Sequence, residues 1–180
     1  MCLREFCRRS VITALAVGVA IGCSDDRSAK SKARELKPVE TEWVDRNWDL
    51  EPEVEPTADR LNGRWTILRY ESHGMAVSAE SWSEKSPMID VAGDRYRFVF
   101  QSAGADKDEV EMPLTLHLGE VPRSFELGGP KGSLRGIFKI LADGRLIVAF
   151  AKSDDGLSDD IKPTSFDSRR DGVFVVVLRR

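Results

Sequence analysis

Two histidines, three cysteines and one glycine-rich stretch are the places where chemistry could begin in this chain. His73 and His117 stand far apart, in neither an H-x-x-x-H nor an H-E-x-x-H spacing, so nothing supports a histidine-based zinc site. His73 precedes Gly74 in an expected turn, and His117 alternates away from Leu114 and Leu116; both read as solvated side chains. Gly128-Gly129-Pro130-Lys131-Gly132-Ser133 lacks the G-x-x-x-x-G-K-[ST] spacing of a phosphate loop. Pro130 also removes a backbone donor that such a loop needs, so the stretch reads as a hairpin loop. Ser153–Asp160 holds four carboxylates that could meet Ca²⁺ weakly, yet the D-x-[DN]-x-[DN]-G pattern is not met, and a solvated loop is expected. There is no G-x-S-x-G elbow, and nothing marks a carboxylate pair for glycoside hydrolysis. The expectation is a non-enzymatic protein with no metal and no cofactor.

The cysteines lead elsewhere. Arg4, Arg8 and Arg9 form a positive start, followed by the apolar run Val11–Gly22, interrupted by Thr13. Twelve helical residues reach about 18 Å, short of the ~30 Å hydrocarbon core, which suits a secretory segment better than a spanning helix. The run closes on Ala20-Ile21-Gly22-Cys23 and resembles a bacterial lipoprotein signal, with Ala20 where that pattern usually has Leu. The resemblance implies that residues 1–22 are removed and that Cys23 is acylated on its sulfur and amino group. Cys2 and Cys7 would leave with the signal, so the remaining chain would have no disulfide and no thiolate site. At ~0.8 kcal/mol per buried CH₂, several acyl chains hold a protein to a membrane durably. The partner implied is a cell-envelope membrane, with the folded part outside the cytoplasm.

Charge points the same way. The chain carries 27 basic and 30 acidic residues, a net charge of −3. Loss of residues 1–22 takes three bases and one acid, leaving about −5. No basic field calls for nucleic acid, and an acidic body beside anionic lipid is held by its anchor rather than by attraction.

Residues 23–58 read as an acidic tether behind the anchor. Pro38, Pro52 and Pro56 punctuate it, and seven acids between Glu40 and Glu55 face the single base Arg46. Such a stretch should be extended, reaching on the order of 100 Å at ~3.3 Å per residue. Trp43 and Trp48 are out of place in it. They either form a docking motif for a partner or fold back onto the domain as a flap.

From Asp59 to Arg180 the texture changes to short apolar runs between turn residues. Strands are expected at Arg60–Glu71, Pro87–Val91, Arg95–Gln101, Val110–Leu118, Ser124–Leu127 (marginal), Leu134–Leu141, Arg145–Ala151 and Gly172–Arg179. Only Ala76–Lys85 reads as helix. Tyr96, Phe98 and Phe100 alternate with Arg95, Arg97 and Val99, giving one aromatic face. Asp143-Gly144 is a hairpin signal. Arg145–Ala151 and Val173–Leu178 are apolar on both faces and must be covered from both sides, with the short helix a candidate cover. Seven or eight antiparallel strands with little helix mean an all-β barrel or sandwich.

Several blocks resemble a known family. Leu61-Asn62-Gly63-Arg64-Trp65, Gly93-Asp94-Arg95-Tyr96, Gly136-Ile137-Phe138-Lys139-Ile140 with Asp143-Gly144-Arg145-Leu146, and the closing Lys162–Ser168 and Val177–Arg180 are similar to a small lipocalin-like domain common in Planctomycetes proteins. Ala149 stands where that family often has cysteine. The resemblance spans residues 59–180 and implies an up-and-down β-barrel; it supplies no established activity or catalytic residues. Gly63-x-Trp65 also resembles the first-strand signature of lipocalins, in which a late arginine packs across the tryptophan that closes one end. Arg179 or Arg180 could supply it, alternation not deciding which; Arg179, last of its strand, is taken with Gly63 and Trp65. Tyr96, Phe98 and Phe100 are the candidate lining of a cavity for a small apolar ligand. The alternative is a barrel filled by its own side chains that works through its surface or the Trp43/Trp48 segment on an envelope protein.

Overall fold

A computed structural model describes residues 41–78, 85–101, 107–129, 132–153, 156–157 and 162–180. The signal segment, Cys23, the first part of the expected tether, and Asp154, Asp155, Asp159 and Asp160 lie outside the described residues. Among the described residues there are twelve strands: β1 (Thr41–Trp43), β2 (Glu53–Val54), β3 (Gly63–Ser72), β4 (Met75–Ser78), β5 (Lys85–Ala92), β6 (Arg95–Gln101), β7 (Lys107–His117), β8 (Ser124–Gly129), β9 (Gly132–Leu141), β10 (Leu146–Ser153), β11 (Gly156–Leu157) and β12 (Val173–Arg179). Eight of them (β3, β5 to β10 and β12) pair antiparallel in succession, and β12 and β5 both pair with β3. The sheet therefore closes on itself as an up-and-down barrel, which leaves no open edge in the main wall.

The alternation that builds the strands also sorts the side chains. Trp65, Ile67, Ile89, Val91, Leu114, Phe125, Leu127, Phe138, Leu146, Val148, Phe174 and Leu178 are among the buried residues that meet inside. Outward from β3, β5, β6 and β7 runs a ladder of charges: Arg64 pairs Asp90, Arg97 pairs Asp90 and Glu109, and Arg95 pairs Glu111. An apolar inside and a charged outside is the reverse of a membrane-spanning barrel, whose lipid face is apolar. The Asp143-Gly144 turn joins β9 to β10 as its sequence suggests, with Gly144 at φ 85°. The glycine-rich stretch is a hairpin, Gly128 opposite Ser133 and Gly129 opposite Gly132.

Two expectations change. Ala76–Lys85 does not start as a helix: Met75–Ser78 is β4, hydrogen-bonded beside β3, and residues 79–84 lie outside the described residues. The short helix is instead α1 (Ala58–Leu61), whose Thr57 cap accepts a hydrogen bond from the Arg60 N–H. Second, the acidic stretch from Thr41 onward is no free tether. It forms a strap along the outside of the barrel, with β1 paired to β4 and β2 paired to β9.

The strap explains the strands that are apolar on both faces. Outward from β9, β10 and β12 point Ile137, Ile147, Ala149, Val173, Val175 and Val177, all buried. Trp48 of the strap and Phe166 of the segment before β12 cover them, so no helix is needed. Trp48 is fully buried, and the fold-back reading of this tryptophan is the one the fold adopts. Trp43 remains 81% exposed.

Gly136 faces inward on β9 where Phe125 crosses. A Cβ there would overlap the Phe125 ring and lie 2.9 Å from the Ala149 carbonyl oxygen. Phe125 is itself held edge-on by Phe150 at 5.5 Å and against Phe138 at 6.3 Å. Gly136→Ala should therefore destabilise the barrel by about 1–3 kcal/mol, read as a lower urea midpoint with an unchanged slope. A midpoint equal to wild type would show that Phe125 has room to yield.

Candidate functional site

One end of the barrel is shut. Trp65 is buried, and its indole N–H donates to the Leu61 carbonyl at 2.8 Å, fixing α1 under the strands. Leu61 is buried in the same inner cluster. Gly63, at φ 120°, makes the sharp entry from α1 into β3 that an L side chain rarely allows. The cation over the Trp65 ring is Arg180, at 4.8 Å, not Arg179. Its guanidinium also donates to the carbonyls of Arg60 and Asn62. Arg179 is still within β12, opposite Thr66, and exposed; the side chain that reaches back across the barrel end comes from the residue beyond the strand. Asn62 completes the closure by accepting the Gly93 N–H at 2.9 Å.

The inner wall differs around its circumference. The side chains from β9, β10 and β12 are buried, whereas Tyr96 and Phe98 from β6, Met112 and Leu116 from β7 and Tyr70 from β3 pack on the same core yet stay partly exposed. Tyr96 and Phe98 are thus placed inward as expected. Phe100 continues their alternation along β6, and its side chain lies outside the described residues. Tyr70 stacks on Phe174 with ring centroids 5.7 Å apart. Burial pushes its phenol well above the usual value, and the Tyr96 phenol adds to the shift. It is a neutral hydroxyl across the physiological range.

Tyr70 escapes a reading by alternation because β3 is bulged. Leu178 lies opposite Ile67 and Val177 opposite Arg69, so Leu68 is an extra residue and packs on the outer cluster. Beyond it the parity flips: Tyr70 turns in, and Glu71 turns out. A signal existed in the sequence, since strict alternation from Trp65 would drive Arg69 and Glu71 into the core.

Outside, Glu71 is the polar centre beneath the strap. Its carboxylate accepts from the Trp48 indole at 2.7 Å and from the Ser168 hydroxyl at 3.2 Å, and it pairs Arg69 at 2.7 Å. Three guanidiniums, of Arg46, Arg69 and Arg145, lie 5.2–5.5 Å from the Trp48 ring centre. Each has its own acid, Glu51, Glu71 and Asp143 respectively, so the cage carries no excess charge. Asp49 accepts from the Ser165 hydroxyl and the Phe166 N–H at 2.6 and 2.7 Å. Lys139, buried on β9, donates to the Glu51 carbonyl at 2.9 Å, and burial lowers its amine despite the nearby charges of Glu53, Asp49 and Glu51. The contacts of Trp48, Asp49 and Lys139 hold the strap to the wall, which makes this cluster a lock and leaves the inner wall as the candidate site.

Among the described residues no group of three or more His, Cys, Asp or Glu side chains could hold a metal ion. No family model, curated protein or solved structure matches the chain.

Proposed function

We infer that the protein is a non-catalytic binding module, a barrel that takes a small apolar ligand into its interior while Cys23 anchors the chain to a cell-envelope membrane. The observation that carries the reading is the uneven inner wall: aromatic and aliphatic side chains of β3, β6 and β7 point inward and yet remain partly exposed. A barrel of eight strands is wide enough to be filled by side chains or to hold one small ligand. The anchor rests on the sequence of residues 1–23 and its resemblance to a lipoprotein signal, and the barrel has the form that the lipocalin-like resemblance implies. The alternative is a barrel filled by its own side chains that works through its surface or the Trp43/Trp48 segment; that segment has one of its two aromatics, Trp48, buried against the protein's own wall.

The test has two arms. Mixing the purified chain with N-phenyl-1-naphthylamine should raise the probe's fluorescence saturably, with one site per chain; no rise would mean a filled barrel. In a bacterial host, Cys23→Ser should move the protein from the membrane to the soluble fraction. An unchanged membrane fraction would refute anchoring through this cysteine.

A further inference from the structure

The inner face of the sheet does not end with the barrel. β3 pairs β5 over Gly63–Thr66 and β4 over Arg69–Ser72, so past its bulge the strand exchanges partners and the sheet runs on through β4 to β1. Directly opposed residues share a face, and the register sets Phe174, Ser72, Met75 and Trp43 in one row. The row beside it runs Val176, Tyr70, Val77. Phe174, Val176 and Tyr70 belong to the inner cluster, so Val77, Met75 and Trp43 carry that face outward beyond the wall. Exposure rises along the first row, from 8% at Phe174 to 37% at Met75 and 81% at Trp43. Glu42, opposite the buried Ala76, takes the other face. Met75 and Trp43 lie level with the end of β3 and the start of β12, at the end of the barrel away from Trp65 and Arg180.

We propose that Trp43 and Met75 dock on the lipid surface that holds Cys23, turning the end of the barrel away from Trp65 toward the membrane. This rests on the anchoring reading above and adds a face and an orientation to it. The strap shortens the tether: with β1 paired to β4, the chain after Cys23 meets the folded part at Thr41 rather than after Ala58. Thr41 lies eighteen residues after Cys23, which at ~3.3 Å per residue keeps it within about 60 Å of the anchor. A weak contact tethered at so short a reach is made at high local concentration. Trp43 suits such a boundary, since an indole joins a large apolar ring to an N–H that favours a wet surface. Charges beside the patch come in both signs. Asp45 follows it in the chain, and Arg169, Arg170 and Asp171, all exposed, stand next to Ser168, whose carbonyl accepts the Gly74 N–H. They favour neither an anionic nor a cationic surface, so the partner that fits is a zwitterionic bilayer met through apolar contact. An apolar ligand then passes between lipid and barrel along one continuous sheet face.

The test uses the full chain, recovered in detergent from a bacterial membrane and reconstituted into liposomes of phosphatidylcholine. Flotation first checks that the chain is held by lipid, as the Cys23 reading requires. Tryptophan emission is then compared in ordinary phosphatidylcholine and in phosphatidylcholine brominated along its acyl chains, which quenches only an indole that reaches the bilayer. The wild type should be quenched. Trp43→Ala should lose most of that quenching and keep the wild-type melting profile, because the side chain it removes is exposed. Met75→Glu, which sets a charge directly opposite Trp43, should lose most of it as well. Unchanged quenching in either variant, or none in a wild type that floats, would overturn the proposal and leave the anchor standing. So would sedimentation showing Cys23→Ser to be a dimer that Trp43→Ala dissociates, which would give the face to a second copy. Failure of the wild type to float would overturn both.

Discussion

Trp48→Ala should lower the melting temperature by on the order of 10 °C, the largest loss expected from any single side chain outside the barrel interior. The indole is fully buried among three paired arginines, and truncating a buried tryptophan costs about 3–5 kcal/mol. Two effects add. The cavity strips cover from Ile147, Ala149, Val175 and Val177, and the Glu71 carboxylate loses its shortest donor apart from Arg69. Trp48→Phe separates them in part, because it keeps a six-membered aromatic ring in place while removing the pyrrole part with its N–H; its expected cost is about 1–3 kcal/mol. Limited proteolysis gives a second reading: the strap between Trp43 and Val54 should be cut in Trp48→Ala while the barrel core survives. Wild-type melting and an uncut strap would show that the β1–β4 and β2–β9 pairings alone hold it.

Trp65→Ala should have an effect of similar size at the closed end, again about 3–5 kcal/mol. The side chain is buried, fills the floor of the barrel and fixes α1 through the Leu61 carbonyl. Arg180→Ala should cost less, a few degrees, since an exposed guanidinium over a ring contributes about 0.5–1 kcal/mol. Arg179→Ala should cost least of the three, because its side chain is exposed at the end of β12. The three melting curves together decide the arrangement. A larger loss from Arg179→Ala than from Arg180→Ala would reverse the assignment, and a wild-type melt for Trp65→Ala would mean that the floor is not held by this residue.

These two tryptophans divide the molecule's work. Trp65 closes one end of the inside and ties α1 to it. Trp48 closes the outside, and it does so with a segment whose composition looks like linker. Four of its acids are held within the fold: Asp49 accepts from Ser165 and Phe166, Glu51 pairs Arg46, and Glu53 and Glu55 both pair Arg123 at 2.8 Å. A run of like charges repels itself only until opposite charges are folded against it, and those come from strands and loops far along the chain.

The local rules were sufficient for much of this. Period-two alternation in Arg95–Gln101 and Val110–Leu116 told which residues point inward, and Asp143-Gly144 told where the chain reverses. Continuous apolar runs at Leu146–Ala151 and Val173–Leu178 told that both faces would be covered. What covers them could not be read, because Trp48 and Phe166 reach those faces by contacts across distant parts of the chain. The position of Tyr70 depended on a bulge, which exists only where β3 meets β12. The choice of Arg180 over Arg179 depended on how the end of β12 meets the floor of the barrel. Alternation and turn chemistry are properties of neighbouring residues and are therefore written in the sequence. Closure, the strap and the pairing of buried charges are properties of surfaces brought together, and only the tertiary structure decides which surfaces meet.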